Sequence, residues 1–226
     1  MSLAASKKHF RNAPSALTWA ISSRWPGAQE TLALSMAIMQ PDGKVCLSLG
    51  CGLGRFLSAY ARRNAKLLIG ADINVENLRR CKQTSANVIR CDIERLPIRN
   101  SSMEVMECVA TVEHLPNPLE LMREMCRIST RNAVCFVTWV SYDWFRAPRR
   151  KLLAVRDMVF DALPDAVAAK AVRLGVPCAR GYGLFRNRGF TFSEIYGIYD
   201  MASMRIIWSH KFAERQIIAV VATKRI

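Results

Sequence analysis

The chain has 226 residues, 51% of them hydrophobic and 23% charged, with a formal net charge of +15 at pH 7. That balance excludes a disordered chain and supplies enough apolar surface for one core without staples, while no apolar run is long enough to span a bilayer. The charge speaks to association and not to fold: it nominates a polyanionic partner, RNA first, or else a basic enzyme whose charge keeps it in solution.

Residues 1–29 lack Asp and Glu and carry Lys7, Lys8, Arg11 and Arg24. Such a start suits a transit segment or an N-terminal cap, and the apolar Leu17, Trp19 and Ile21 favour a cap over residues 1–40. Leu32, Met36 and Met39 recur at helical spacing before Pro41-Asp42-Gly43 ends that helix. The short apolar run from Lys44 to Leu49 predicts a strand buried on both faces. Gly50, Gly52 and Gly54 follow it at alternate positions, so a ligand could approach the backbone there, at the start of a helix reaching about Asn64. Lys66–Asp72 predicts a second strand ending in a carboxylate, and Asn74 a cap for the next helix. Asn87–Asp92 and Met103–Ala110 predict a third and a fourth strand, the latter leading into Thr111–Pro116. A helix from Pro118 to Ile128 and a fifth strand, Ala133–Trp139, complete the alternation. That pattern implies right-handed βαβ units and a parallel sheet.

The pattern changes over residues 141–190. Trp144, Phe145, Tyr182 and Phe185 lie among Arg146, Arg149, Arg150, Lys151, Arg180, Arg186 and Arg188, as in a lid or substrate-recognition insertion. Bases stack on aromatic faces while basic groups hold phosphates; a hydrophobic lid with a solvated basic rim has the same composition. Ser193 is placed to cap a short helix. Met204–Trp208 and Gln216–Thr223 predict a terminal antiparallel hairpin within 191–226. One α/β domain results, with a core over 41–140. The eight cysteines form no C-x-x-C pair. They read as reduced, mostly buried thiols in a reducing, cytoplasmic setting, with no metal site.

The glycine turn, Asp72, Asp92 and Glu113–His114 all fall at strand ends, which converge on one crevice in an open parallel sheet. A carboxylate about twenty residues after the glycines is placed for a ribose diol. The dinucleotide pattern is G-x-G-x-x-G, but here Gly50-Cys51-Gly52-Leu53-Gly54-Arg55 brings the third glycine one position early. That stretch resembles motif I of class I S-adenosylmethionine-dependent methyltransferases. The likeness continues through Ile69–Ile73, Cys91–Ile98 and Val109–Pro116, and together these are similar to the type 11 branch of that superfamily. It implies a three-layer, Rossmann-like, seven-stranded and mostly parallel sheet with a terminal antiparallel hairpin and a helical lid insertion.

The resemblance also implies roles. Gly50, Cys51, Gly52 and Gly54 would run under the methionine part of S-adenosylmethionine. Asp72 would hold the ribose, Ile73 and Ile93 would flank the adenine, Asp92 would accept from its amino group, and backbone at Ala110 would hold the amino-acid end. Glu113 or His114 would serve as base where the acceptor carries a proton. The family usually has Asp or Glu where this chain has Ser48, so weakened cofactor binding is expected, and a non-catalytic binding module that kept the fold stays open. The usual Pro-Gly-Gly before the fifth strand is replaced by Ser129-Thr130-Arg131-Asn132, read as a surface turn. A patchier likeness to methyltransferases of tRNA wobble uridines rests on Arg24-Trp25-Pro26, Val137-Thr138-Trp139 and Leu184-Phe185-Arg186. It implies an RNA acceptor bound by Trp144, Phe145, Arg149, Arg150, Lys151, Phe185 and Arg186; a small-molecule acceptor of the quinone or lipid kind is the alternative.

Overall fold

The computed structural model describes residues 10–11, 28–84, 86–142, 189–212 and 217–225. The apolar run after Lys44 becomes β1 (Val45–Leu49), whose side chains alternate between two cores. Cys46 faces one of them, with Leu57, Tyr60 and Phe136, while Leu47 and Leu49 face the other, with Met106, Leu121 and Met122. A strand buried on both faces belongs in the middle of a sheet. β2 (Leu67–Asp72) pairs with it in parallel on one side and β4 (Met103–Cys108) on the other. β3 (Asn87–Arg90), β5 (Ser129–Val140), β6 (Met204–Phe212) and β7 (Ile217–Lys224) complete a seven-stranded sheet of order β3-β2-β1-β4-β5-β7-β6. Strands β1 to β5 pair in parallel, whereas β7 runs antiparallel to both β5 and β6. The order reverses between β1 and β4, and a crevice opens there at the carboxyl ends of the strands.

Five α-helices among the described residues cover the sheet. On the Cys46 face lie α1 (Ala28–Met39) and α2 (Arg55–Ala61), with Cys81 of α3 (Val75–Cys81) reaching the same core. On the Leu47 face lie α4 (Pro118–Ile128) and α5 (Phe192–Met201), which bring in Met125, Ile195 and Tyr199. Asn74 caps α3 as its sequence suggests, its side chain accepting from Glu76 N–H and Asn77 N–H at 2.9 and 3.1 Å. Arg127 in the last turn of α4 binds Glu124 and the carbonyls of Leu96 and Ile98, which ties the loop after β3 to this helix.

The structure corrects several boundaries. Ser129–Asn132 is not a surface turn but the start of β5: Ser129 is buried and pairs with Met103. A register shift between Met103 and Val105 accommodates extra residues, so exposed Arg131 and Asn132 sit on a bulge that reads locally like a turn. Thr191, not Ser193, caps α5. Its hydroxyl accepts from Glu194 N–H while the Glu194 carboxylate accepts from Thr191 N–H, a capping box. Helix α2 stops at Ala61, short of Asn64, and β6 runs on to Phe212. The segment read as a lid lies outside the described residues over 143–188, as does most of the N-terminal cap. No helix among the described residues is long and apolar enough to cross a membrane.

Candidate active site

The turn after β1 is held from below. Gly50 N–H and Cys51 N–H both donate to Ala71 O, at 2.8 and 3.1 Å. Gly50 has φ +66°, and a Cβ there would lie 2.5 Å from Thr111 Oγ1 and 2.6 Å from Thr111 Cγ2. Its missing side chain therefore makes room for a residue of the β4 tip. Gly54 (φ +79°) stands at the start of α2, where a Cβ would meet Cys81 Sγ at 2.9 Å. Its positive φ and the close packing of Cys81 and Thr84 both require glycine at that position. Cys51 Sγ is 3.8 Å from Cys81 Sγ.

Asp72 ends β2 with both carboxylate oxygens engaged. Oδ2 accepts from Gly52 N–H and Oδ1 from Asn74 N–H, each at 2.8 Å. Burial pushes its carboxyl above the usual range, and these backbone donors hold it back. Asp72 thus clamps the glycine turn to the strand that would present it to a ribose. Ile73 beside it is half-buried. Asp92 follows β3 half-buried, with Oδ1 accepting from Glu94 N–H at 3.1 Å. Ile93 is buried in the Leu47-face core.

Beyond β4 the backbone turns sharply. Ala110 has φ +52°, a region that L-residues seldom adopt, and its N–H donates to Thr138 Oγ1 of β5 at 2.9 Å. The following 3₁₀ turn, Val112–His114, buries Glu113. Its Oε2 has no hydrogen-bond partner among the described residues, and burial pushes its carboxyl up to about 7. His114 stacks against Phe10 with ring centroids 4.4 Å apart. Asn74 Nδ2 donates to Phe10 O at 2.8 Å, so Phe10 is fixed between the β2 end and the β4 end.

The structure brings Gly50, Cys51, Gly52, Asp72, Ala110, Glu113 and His114 to the carboxyl ends of β1, β2 and β4, with Asp92 beyond β3. Trp144, Phe145, Arg149, Arg150, Lys151, Phe185 and Arg186 lie outside the described residues. Ser48 does not turn toward this crevice as an acceptor. It is buried on the α2 side and donates through Oγ to Glu107 Oε1, its register partner on β4. Sequence reasoning missed Glu107, Thr111, Thr138 and Phe10. Two glutamates, Glu104 and Glu107, inside a strand that is otherwise apolar were the signal for Glu107. The described residues contain no cluster of His, Cys, Asp and Glu able to hold a metal ion.

These residues suit S-adenosylmethionine: a buried carboxylate held at the end of β2, a glycine turn beside it, and a buried carboxylate oxygen without a partner among the described residues in the turn after β4. Residues 47–137 match the type 11 family described as a methyltransferase domain. An uncharacterised chloroplastic methyltransferase of Arabidopsis thaliana is 25% identical over 119 residues, covering 47% of this chain and 34% of its own length. A ubiquinone biosynthesis O-methyltransferase of Acinetobacter baumannii is 25% identical over 178 residues, 74% of this chain and 71% of that protein. The chain spans 34% to 44% of the length of the first three curated relatives it matches. Among solved structures, the [4+2]-cyclase SpnF superposes with TM-score 0.70 at 13% identity, covering 98% of this chain and 97% of that one. Magnesium protoporphyrin IX methyltransferase of Synechocystis, with bound S-adenosylmethionine, superposes with TM-score 0.66 at 12% identity over 98% and 96%.

Proposed function

We propose, on the premise that residues 47–137 are a type 11 domain of the class I S-adenosylmethionine-dependent methyltransferases, that this chain transfers the cofactor's methyl group to a small hydroxyl-bearing acceptor. The observation that carries it is the Asp72–Gly52 clamp at the end of β2 with Glu113 buried in the turn just after β4, the two strands that flank β1 where the strand order reverses. The cofactor supplies a methyl group already activated on a sulfonium. What remains for the protein is binding and alignment, and both come from groups fixed by backbone hydrogen bonds. Asp72 holds the ribose, Asp92 the adenine amino group, with Ile73 and Ile93 alongside, and the strained backbone at Ala110 the amino-acid end. Glu113 is buried, and burial pushes its carboxyl up to about 7, toward the range that suits a group taking a proton from the acceptor as its oxygen is methylated. His114 is the second candidate for that task.

Two observations support a small acceptor. The Phe10 ring makes an aromatic wall beside His114, which suits an apolar molecule better than a phosphate-bearing one. The Acinetobacter relative, whose match extends beyond the cofactor half, is named as an O-methyltransferase of ubiquinone biosynthesis. The net charge of +15 supports RNA as the second reading. The reduced thiols suit a cytoplasmic setting for either acceptor.

Calorimetry with S-adenosylhomocysteine tests the shared premise, and its absence of binding would refute it. Transfer of labelled methyl to a panel of phenolic acceptors and to bulk tRNA separates the readings. Phenolic methylation insensitive to salt supports the first. RNA binding whose affinity falls linearly with salt on logarithmic axes, and flattens when Arg149, Arg150 and Lys151 become Ala, would replace it.

A further inference from the structure

Ser48 and Glu107 sit side by side at the heart of the sheet. They are register partners on β1 and β4, both point to the α2 face, and both are almost fully buried. The Ser48 hydroxyl donates to Glu107 Oε1. A buried carboxyl needs a compensating charge or several donors, and a single hydroxyl falls short of that. Three titratable side chains feel Glu107 electrostatically: Cys51 of the glycine turn, Tyr60 of α2 and its neighbour Cys108. All three are acids, so among the described residues this cluster lacks a cation. Burial accordingly pushes Glu107 up to about 8, opposed only by the Ser48 bond.

The position of the pair decides what could supply the charge. Ser48 lies two residues before Gly50, on the strand that ends in the turn. Glu107 lies three residues before Ala110, on the strand whose tip packs against that turn through Thr111. A ligand cation seated on the turn would lie near Glu107, the buried carboxyl at the β1–β4 pairing. We propose that Glu107 is the counter-charge for the cationic amino-acid end of the cofactor, acting from β4 through the Gly50–Gly52 turn, one strand away from the serine that faces it. The inference rests on the methyltransferase reading and assigns a binding role to a residue within that site's floor. It also changes what Ser48 does. The serine orients an acid; it does not stand in for one.

Two ligands that need no turnover separate a counter-charge from a structural prop. S-adenosylhomocysteine keeps the ammonium, whereas 5′-methylthioadenosine keeps the nucleoside and thioether and lacks the amino-acid end. In calorimetry, Glu107→Gln should weaken S-adenosylhomocysteine by about tenfold or more and leave 5′-methylthioadenosine unchanged. Ser48→Asp in the Glu107→Gln background should restore the first affinity by returning one carboxyl to the pair. In the unaltered protein, preference for S-adenosylhomocysteine over 5′-methylthioadenosine should rise between pH 6.5 and 8 as Glu107 ionises. Glu113→Gln should keep that rise. If the unaltered protein binds neither ligand, the methyltransferase reading fails. If it binds both and Glu107→Gln weakens them equally or not at all, the counter-charge is refuted. Should Glu107→Gln not fold, a pH-independent preference in the unaltered protein refutes it alone.

Discussion

Replacing Gly50 with alanine tests the interlock between the turn and the β4 tip. The added methyl would meet Thr111 Oγ1 at 2.5 Å and Cγ2 at 2.6 Å, closer than non-bonded atoms approach. Thr111 cannot simply swing away, because its hydroxyl donates to Val109 O at 3.0 Å and belongs to the sharp bend around Ala110. Alanine must also adopt φ near +66°. The left-handed backbone costs about 1–2 kcal/mol, and overpacking against Thr111 about 1–3 kcal/mol. A total of about 2–5 kcal/mol should lower the urea midpoint by about 1–2.5 M at an m of about 2 kcal/mol/M, the middle of the range for small domains. The two parts can be told apart. Thr111→Ala removes Oγ1 and Cγ2, so adding it to Gly50→Ala should recover about 1–3 kcal/mol, the overpacking share, and leave the backbone share untouched. Additive effects of the two substitutions in urea unfolding would refute the interlock, as would a Gly50→Ala protein of unaltered stability.

Asp72→Ala removes the acceptor of Gly52 N–H and Asn74 N–H together with the proposed ribose contact, so S-adenosylhomocysteine affinity should fall at least about tenfold by calorimetry; unchanged affinity would take Asp72 out of the site. Thr138→Val strands the Ala110 N–H. Thermal melting should show a loss of about 1–3 kcal/mol, with weaker cofactor binding because the bend at Ala110 relaxes. Stability should also depend on pH through Glu107 and Glu113. Burial raises their folded values to about 8 and about 7, above the unfolded value near 4.3. These two groups therefore hold more protons in the folded state than in the unfolded one between those limits, and their contribution to stability is full below about pH 4.3 and declines as pH rises toward 8. Urea midpoints from pH 5 to 8.5 should show this fall, and Glu107→Gln should make it shallower; an identical slope would refute the assignment.

The sheet was legible because β1, β2, β4 and β5 are short runs of apolar residues ended by glycine, Asp or a turn, and burial on both faces leaves no other reading. Asp72, Asp92 and Glu113 could be placed on one edge for the same reason, since the carboxyl ends of parallel strands lie together. Register was not legible. Ser48 read as a departure within the glycine motif and Glu107 drew no reading, and only the pairing of β1 with β4 shows that they touch. Gly54 read as an opening for a ligand because a glycine does not announce what fills the space beside it; here that is Cys81 and Thr84. The bulge at the start of β5 exposes Arg131 and Asn132 and so imitates a turn. The capping box Thr191–Glu194 was written in the chain, but Ser193, nearer the helical pattern, looked the better cap.

The same pairing bears on whether the chain is an enzyme or a binding module that kept the fold. Ser48 alone suggests decay, because a carboxylate is missing from the strand beneath the turn. Its register partner supplies one at the same level of the sheet, and the serine spends its proton on that carboxylate. A second carboxyl, Glu113, is buried a few residues on with an oxygen left unpartnered among the described residues. Burial penalises the ionised form of each of these acids, and buried acids with raised pKa gather where chemistry or binding uses them. A module that no longer needed its cofactor would be more stable with glutamine or an apolar residue at either place. Two such acids beside an intact Asp72 clamp argue for a working site with its charge moved one strand across.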